Sequence, residues 1–152
     1  MIELIDYKQA HGREVFRENK SDDAQIEAWF DQPSFDGWLV ELEEPGQAFT
    51  AIDRDVGVLA IGGIVTKWVG VGEAWLVPSS GLRERPVAGT RLIKRHMAVL
   101  QRQHSYWRLQ INVHVENEQA LRFAKWLGFL MEGEMIKYGP DGKNYYRMAR
   151  VV

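Results

Sequence analysis

The chain of 152 residues contains no cysteine, which rules out disulfides, thiolate-ligated zinc and a cysteine nucleophile. It has no apolar run approaching 18 residues, and its first residues, MIELIDYKQAHGRE, lack the apolar stretch of a secretory signal. A membrane span is therefore not expected, and a reducing cytoplasm fits the missing cysteines. Internal repeats, low-complexity segments and Pro/Gly-rich linkers are also missing, so residues 1–152 are expected to form one domain. Extreme charge is absent too: the net charge is −2, with 26% charged and 45% hydrophobic residues, the composition of an ordinary globular protein.

The small net charge hides an uneven distribution. Residues 1–56 hold fourteen acids against five bases, whereas residues 82–108 hold seven bases against Glu84 alone. A cationic zone in a mildly acidic chain points to a docked anion rather than to general nucleic-acid affinity. A solvated basic helix face is the plainer alternative.

Local patterns give the elements. Ile2, Leu4 and Ile5 read as a first strand ending near Tyr7, followed by a helix from about Gln9. Ser21 caps a predicted second helix with Ile26, Trp29 and Phe30 on one face, broken by Pro33 and Gly37. Strands are expected over 48–52, 58–65 and 72–77, then a loop over 79–89 and a helix over 90–103. Residues 107–115, WRLQINVHV, alternate as a strand with Leu109, Ile111, Val113 and Val115 on one face. Asn117 caps a helix with Ala120, Phe123, Ala124 and Leu127 in register, and Gly128 ends it. A hairpin over 131–138 and 144–151 turns at Gly139-Pro140-Asp141-Gly142. The expected fold is α/β (α+β): a mixed, mostly antiparallel twisted sheet of about seven strands with flanking helices. The strand–helix–strand unit in its middle demands one parallel pair.

The segment NEQALRFAKWLGF, with Asn117, Ala120, Phe123, Leu127, Gly128 and Phe129, resembles the N-x-x-A…L-G-F signature of the GNAT superfamily of acyl-CoA-dependent N-acyltransferases. The resemblance runs over roughly residues 48–150, including the closing hairpin with DGKNYYRMAR. It implies a GNAT fold with a splayed parallel pair, acetyl-CoA as co-substrate without a metal, and direct transfer of an acetyl group to a primary amine on a small molecule or a protein lysine. It also implies that the helix bearing Asn117, Ala120 and Phe123 lies beside the pantetheine arm of the coenzyme. The pyrophosphate pattern of the family, [Q/R]-x-x-G-x-[G/A], is met only loosely by Arg85-Pro86-Val87-Ala88-Gly89-Thr90. Arg85 matches, Ala88 and Thr90 stand where small glycine-type residues are expected, and Pro86 lacks an amide donor. Arg83, Arg85 and the Thr90 hydroxyl are expected to compensate at the phosphates. An N-capped helix that binds nothing is the alternative. The altered loop, the GVGEAWLV strand and the ending YGPDG…R are similar to GNAT-like proteins of tailed bacteriophages.

The family's usual general acid, a tyrosine one position after Phe123, is replaced here by Ala124. Tyr138, Tyr145 and Tyr146 on the final hairpin are the substitutes, with packing as their alternative role, and the spacing does not select among them. For the base, Glu73 comes first, on a strand where the family often carries one, sharing a face with Trp75 and Val77. His114 comes second, near the end of the next strand, with a titration range close to neutrality. His96 reads as a core histidine, and His11 and His104 as exposed. Backbone amides at Leu76 and Val77 are the expected oxyanion donors. Phe35 and Trp38, read as a loop pair beside many acids, are the expected acceptor contacts for a cationic amine. The aromatic hairpin and edge strands permit a homodimer. The missing tyrosine and glycine-poor loop also suit a second reading, a non-catalytic GNAT-fold protein for phage assembly or host interaction.

Overall fold

The computed structural model describes residues 1–19, 35–46 and 48–152. Its element order is β1 (Ile2–Asp6), α1 (Gln9–Asn19), α2 (Phe35–Glu41), β2 (Ala48–Asp53), β3 (Gly57–Trp68) and β4 (Val71–Pro78). A 3-10 turn (Ser80–Glu84) follows, then α3 (Pro86–Gln103), β5 (Arg108–His114), α4 (Glu118–Trp126), β6 (Leu130–Met135) and β7 (Tyr145–Val151). The strands form one sheet in the order β1-β2-β3-β4-β5-β7-β6. All neighbours are antiparallel except β4 and β5, which are joined through α3 and run parallel. This is the predicted mixed sheet.

Side-chain alternation assigns the two faces. Trp75 and Val77 of β4 turn toward α1 and α2, where they pack with Phe16, Phe35, Leu39 and Ile61. The opposite face carries Leu109 and Val113 of β5, covered by Met97 of α3 and by Ala124 and Leu127 of α4. Glu73 therefore shares the α1–α2 face, as the alternation predicts.

The β4–β5 pairing lasts three residues, Val71 with Arg108, Gly72 with Leu109 and Glu73 with Gln110. Beyond Glu73, β4 stays paired to β3 through Pro78, and β5 stays paired to β7 through His114. The two inner strands part because each follows its own antiparallel partner. Glu73 thus sits at the vertex of a wedge.

Several local readings shift. The helix predicted from Ser21, with Ile26, Trp29 and Phe30, lies outside the described residues. Gly37 falls inside α2 rather than breaking a helix, so Phe35 and Trp38 are helical, not a loop pair. The helix expected over 90–103 starts four residues earlier, at Pro86, which occupies the first helical position where a missing amide and a fixed φ suit it. The 3-10 turn before it is tied down by Ser79, whose hydroxyl donates to the Val58 carbonyl and accepts from the Gly81 amide. At α4 the prediction stands: the Asn117 side chain accepts from the Ala120 amide at 3.1 Å, and Gly128 follows the helix with φ +96°.

Candidate active site

A groove of about 1100 Å³ opens where β4 and β5 part. That is at the upper end for small-molecule sites. It reaches both faces of the sheet: Thr90 of α3 and Asn117, Ala120 and Phe123 of α4 line one side, Phe35 and Trp38 of α2 the other. Leu76 and Val77 line it along β4, where the edge facing β5 has no strand to pair with. Tyr138, just past β6, lines it as well.

At the vertex is a connected polar cluster. Glu73 is half-buried; its Oε1 accepts from Asn112 Nδ2 at 2.9 Å and its Oε2 from Gln110 Nε2 at 3.1 Å. Lys67 Nζ stands 3.6 Å from Oε2. Asn112 Nδ2 also reaches the Tyr138 hydroxyl at 3.2 Å, and Asn112 Oδ1 accepts from Arg147 Nε at 2.8 Å. A carboxylate and a phenol are thereby held by one carboxamide.

Gln110 and Asn112 were missed at the sequence level, yet a signal was present. A central strand with a parallel neighbour is ordinarily apolar on both faces. The face of β5 opposite Leu109 and Val113 instead reads Gln110, Asn112, His114, polar groups that must be held by something.

His114, the second candidate base, makes a structural contact in this fold. Its side chain is fully buried, and both ring nitrogens are engaged: Nδ1 accepts from the Glu116 amide at 3.1 Å, which makes Nε2 the donor to Asp141 Oδ2, also at 3.1 Å. It pins the β6–β7 turn to the end of β5. Burial raises the Asp141 carboxyl, but the Lys143 amide and the His114 contact outweigh this, leaving it below the usual range. His96 packs edge-on against Phe49, 4.7 Å between centroids, and burial lowers its pKa. His11 is half-buried rather than exposed: its Nδ1 lies 2.9 Å from the Thr50 hydroxyl, and burial lowers its pKa too.

The expected phosphate loop is rearranged. Arg83 lines the groove, whereas Arg85 turns away to Asp53, with Nε 3.6 Å from Oδ2. The Asp53 carboxyl is held below the usual range chiefly by the Asp55 amide, with Arg85 a smaller contributor. Val87 is exposed, and Ala88 lines a separate shallow pocket with Asp53 and Arg85. A Cβ at Gly89 would come within 2.6 Å of the Leu82 side chain, so the residue is packed closely on the turn before α3. The Thr90 hydroxyl donates to the Pro86 carbonyl at 2.5 Å, so its proton is used inside the helix. No side chain caps the start of α3, and the amides of Val87 and Ala88 precede the first carbonyl the helix can offer them.

On the acceptor side, Phe35 is buried and packs edge-on against Phe16 at 4.6 Å. Trp38 meets Trp75 edge-on at 5.1 Å. The Trp75 indole nitrogen is buried and has no hydrogen-bond partner among the described residues. Glu41 of α2 lines the same part of the groove.

No family model matches the sequence, and no curated protein matches it. Solved structures do match, over nearly the whole chain. Ard1 from Thermoplasma volcanium is similar with a TM-score of 0.78 at 18% identity, over 99% of this chain and 97% of that one. A mutant of the spermidine N-acetyltransferase SpeG from Vibrio cholerae gives 0.73 at 17% identity, over 99% and 93%. The ribosomal-protein-S5-alanine acetyltransferase from Vibrio fischeri gives 0.72 at 14% identity, over 99% and 92%. With its splayed parallel pair and seven-stranded order, the chain has the fold of the GNAT N-acetyltransferases.

Proposed function

We propose that this chain is an N-acetyltransferase that moves an acetyl group from acetyl-CoA to a primary amine by direct attack. The observation that carries it is the placement of Glu73 and Tyr138 at the vertex of the β4–β5 wedge, joined through Asn112. The groove suits the co-substrate: it holds about 1100 Å³, and residues of both α3 and α4 line it together with Arg83. In this register Arg83-x-x-Pro86-x-Ala88 takes the place of the family's phosphate pattern. Arg83 and the first-turn amides of α3 grip the pyrophosphate, while the α4 side bearing Asn117, Ala120 and Phe123 flanks the pantetheine arm.

Glu73 accepts the proton that the amine nitrogen sheds as it bonds to the thioester carbonyl carbon. The β4 amides around Leu76 and Val77 stabilise the oxygen while it carries negative charge. As the carbon–sulfur bond breaks, Tyr138 gives its phenolic proton to the sulfur, filling the role that Ala124 cannot. Glu73 then returns its proton to Tyr138 through solvent. The products are an N-acetyl amide and free coenzyme thiol. Trp38 and Trp75, with Glu41 and Glu73 nearby, favour an acceptor that is cationic and presents an apolar surface.

The test is thiol release from acetyl-CoA, followed with spermidine, free lysine and a peptide with N-terminal alanine as separate acceptors. Amine-dependent release by the wild-type chain supports the reading. No release with any of them, at saturating acetyl-CoA, defeats it.

A further inference from the structure

We propose that Asn112 is the positioning residue of this site: its one carboxamide sets the orientation of both the base Glu73 and the acid Tyr138. The proposal rests on the transfer reading above and adds to it a residue that acts through Glu73 and Tyr138.

The argument starts from register. Asn112 of β5 lies directly opposite Arg147 of β7. Their side chains emerge on the same face, and Arg147 Nε donates to Asn112 Oδ1 at 2.8 Å. A guanidinium has donors only, so the carboxamide end that faces it must be oxygen. That contact settles which way the amide points. Its nitrogen end, with two N–H groups, is turned to the wedge, where one donates to Glu73 Oε1 at 2.9 Å and the other to Tyr138 Oη at 3.2 Å.

Two consequences follow. The Tyr138 oxygen accepts from Asn112, so its own proton is aimed elsewhere, and Tyr138 lines the groove. Glu73 Oε1 is held by Asn112 and Oε2 by Gln110, both on β5, which fixes the carboxylate at the vertex. Gln110 contacts Glu73 in this cluster, whereas Asn112 contacts both proton-handling groups. Tyr138 sits beyond the end of β6 with its ring edge-on to Tyr145 at 5.4 Å, and Asn112 supplies the hydrogen bond to its hydroxyl.

The experiment has two arms on the full chain. In the first, the side-chain NH₂ signals of Asn112 are identified in a nitrogen-15 spectrum by their loss in Asn112→Ala. Glu73→Gln is expected to shift one of the two proton resonances and Tyr138→Phe the other; a spectrum in which neither variant moves either resonance overturns the proposal. In the second arm, kcat and KM are measured with acetyl-CoA and spermidine, or whichever of the three test amines the wild type turns over best. Asn112→Ala is expected to lower kcat about 100-fold, the range of a general acid or base, with the KM for acetyl-CoA within about twofold. The double variant Asn112→Ala/Tyr138→Phe is expected to be no slower than the slower single, because both changes disable one unit. A residue that merely supports the sheet would multiply with Tyr138→Phe instead, and that result overturns the proposal. Asn112→Asp keeps the shape and the Arg147 contact but turns an acceptor toward Glu73 and Tyr138. It must lose kcat as well, and full activity in that variant also overturns the proposal. Multiplicative losses in an active enzyme sink the role of Asn112 alone, whereas a wild type silent with all three amines sinks the transfer reading and this role together.

Discussion

The two sides of the wedge are built on opposite plans. On the α3 side the backbone is open: among the described residues α3 starts without a side-chain cap, and β4 beyond Glu73 has no strand partner on its inner edge. On the other side the polar groups are tied together: Glu73, Gln110, Asn112, Tyr138 and Arg147 form one hydrogen-bonded chain across β4, β5, β7 and the turn after β6. Open backbone donors suit a ligand that brings its own acceptors, such as a pyrophosphate. A closed side-chain network suits proton handling, where geometry must be set before the substrate arrives. On the proposed function, the difference implies that binding and chemistry are separable, and that substitutions on the two sides should have different kinetic signatures.

Breaking the chemical side should show the largest effect. Glu73→Gln is expected to lower kcat by about 10²–10³-fold while the KM for acetyl-CoA stays within about twofold, as read by steady-state kinetics. On the binding side, Arg83→Ala should weaken acetyl-CoA by about tenfold, the equivalent of 1.4 kcal/mol, in a calorimetric titration. Arg85→Ala sharpens the contrast: its guanidinium faces Asp53, so the affinity should stay within about twofold. If Arg85→Ala costs as much as Arg83→Ala, the assignment of the phosphate register is wrong. Asn117→Ala tests a helix start that is capped rather than open, and should destabilise by about 1 kcal/mol, lowering Tm by roughly 2–4 °C.

The smallest effect concerns pH. His11 and His96 are both held by burial below their ordinary pKa. The unfolded chain therefore binds their protons first as pH falls. The stability they contribute is present above about pH 6.5 and is lost progressively below it. Urea midpoints at pH 7.5 and 5.5 should differ in that direction, and the difference should shrink in His96→Phe. A midpoint that rises on acidification contradicts the burial of both rings.

Much of this was legible where the determinants are local. The Asn117 cap, the helical spacing of Ala120, Phe123, Ala124 and Leu127, and the glycine after them are all read from neighbours, and α4 lies where they put it. The alternation of β4 likewise placed Glu73 with Trp75 and Val77 on one face. The start of α3 was misjudged because Pro86 looks like a loop residue yet occupies the first helical position, which rotates Arg83 rather than Arg85 into the groove. The structural contact of His114 escaped because its partner Asp141 lies 27 residues away, a closure that spacing along β5 does not reveal. Asn112 was overlooked because a polar residue on a strand is unremarkable until its register partner, Arg147, is known. The helical placement of Phe35 and Trp38 also escaped, since Gly37 between them reads as a breaker but lies inside the short helix α2, whose aromatics pack on Phe16.

The most direct test of the account is thiol release from acetyl-CoA by the wild type and by Glu73→Gln, side by side, with each amine present and then omitted. The account predicts amine-dependent release by the wild type, and loss of nearly all of it in Glu73→Gln although acetyl-CoA still binds. Equal amine-dependent release by both proteins would contradict the role of Glu73, and none by the wild type would contradict the transfer itself and favour a GNAT fold kept for binding alone, the reading that Ala124 and the glycine-poor loop first suggested.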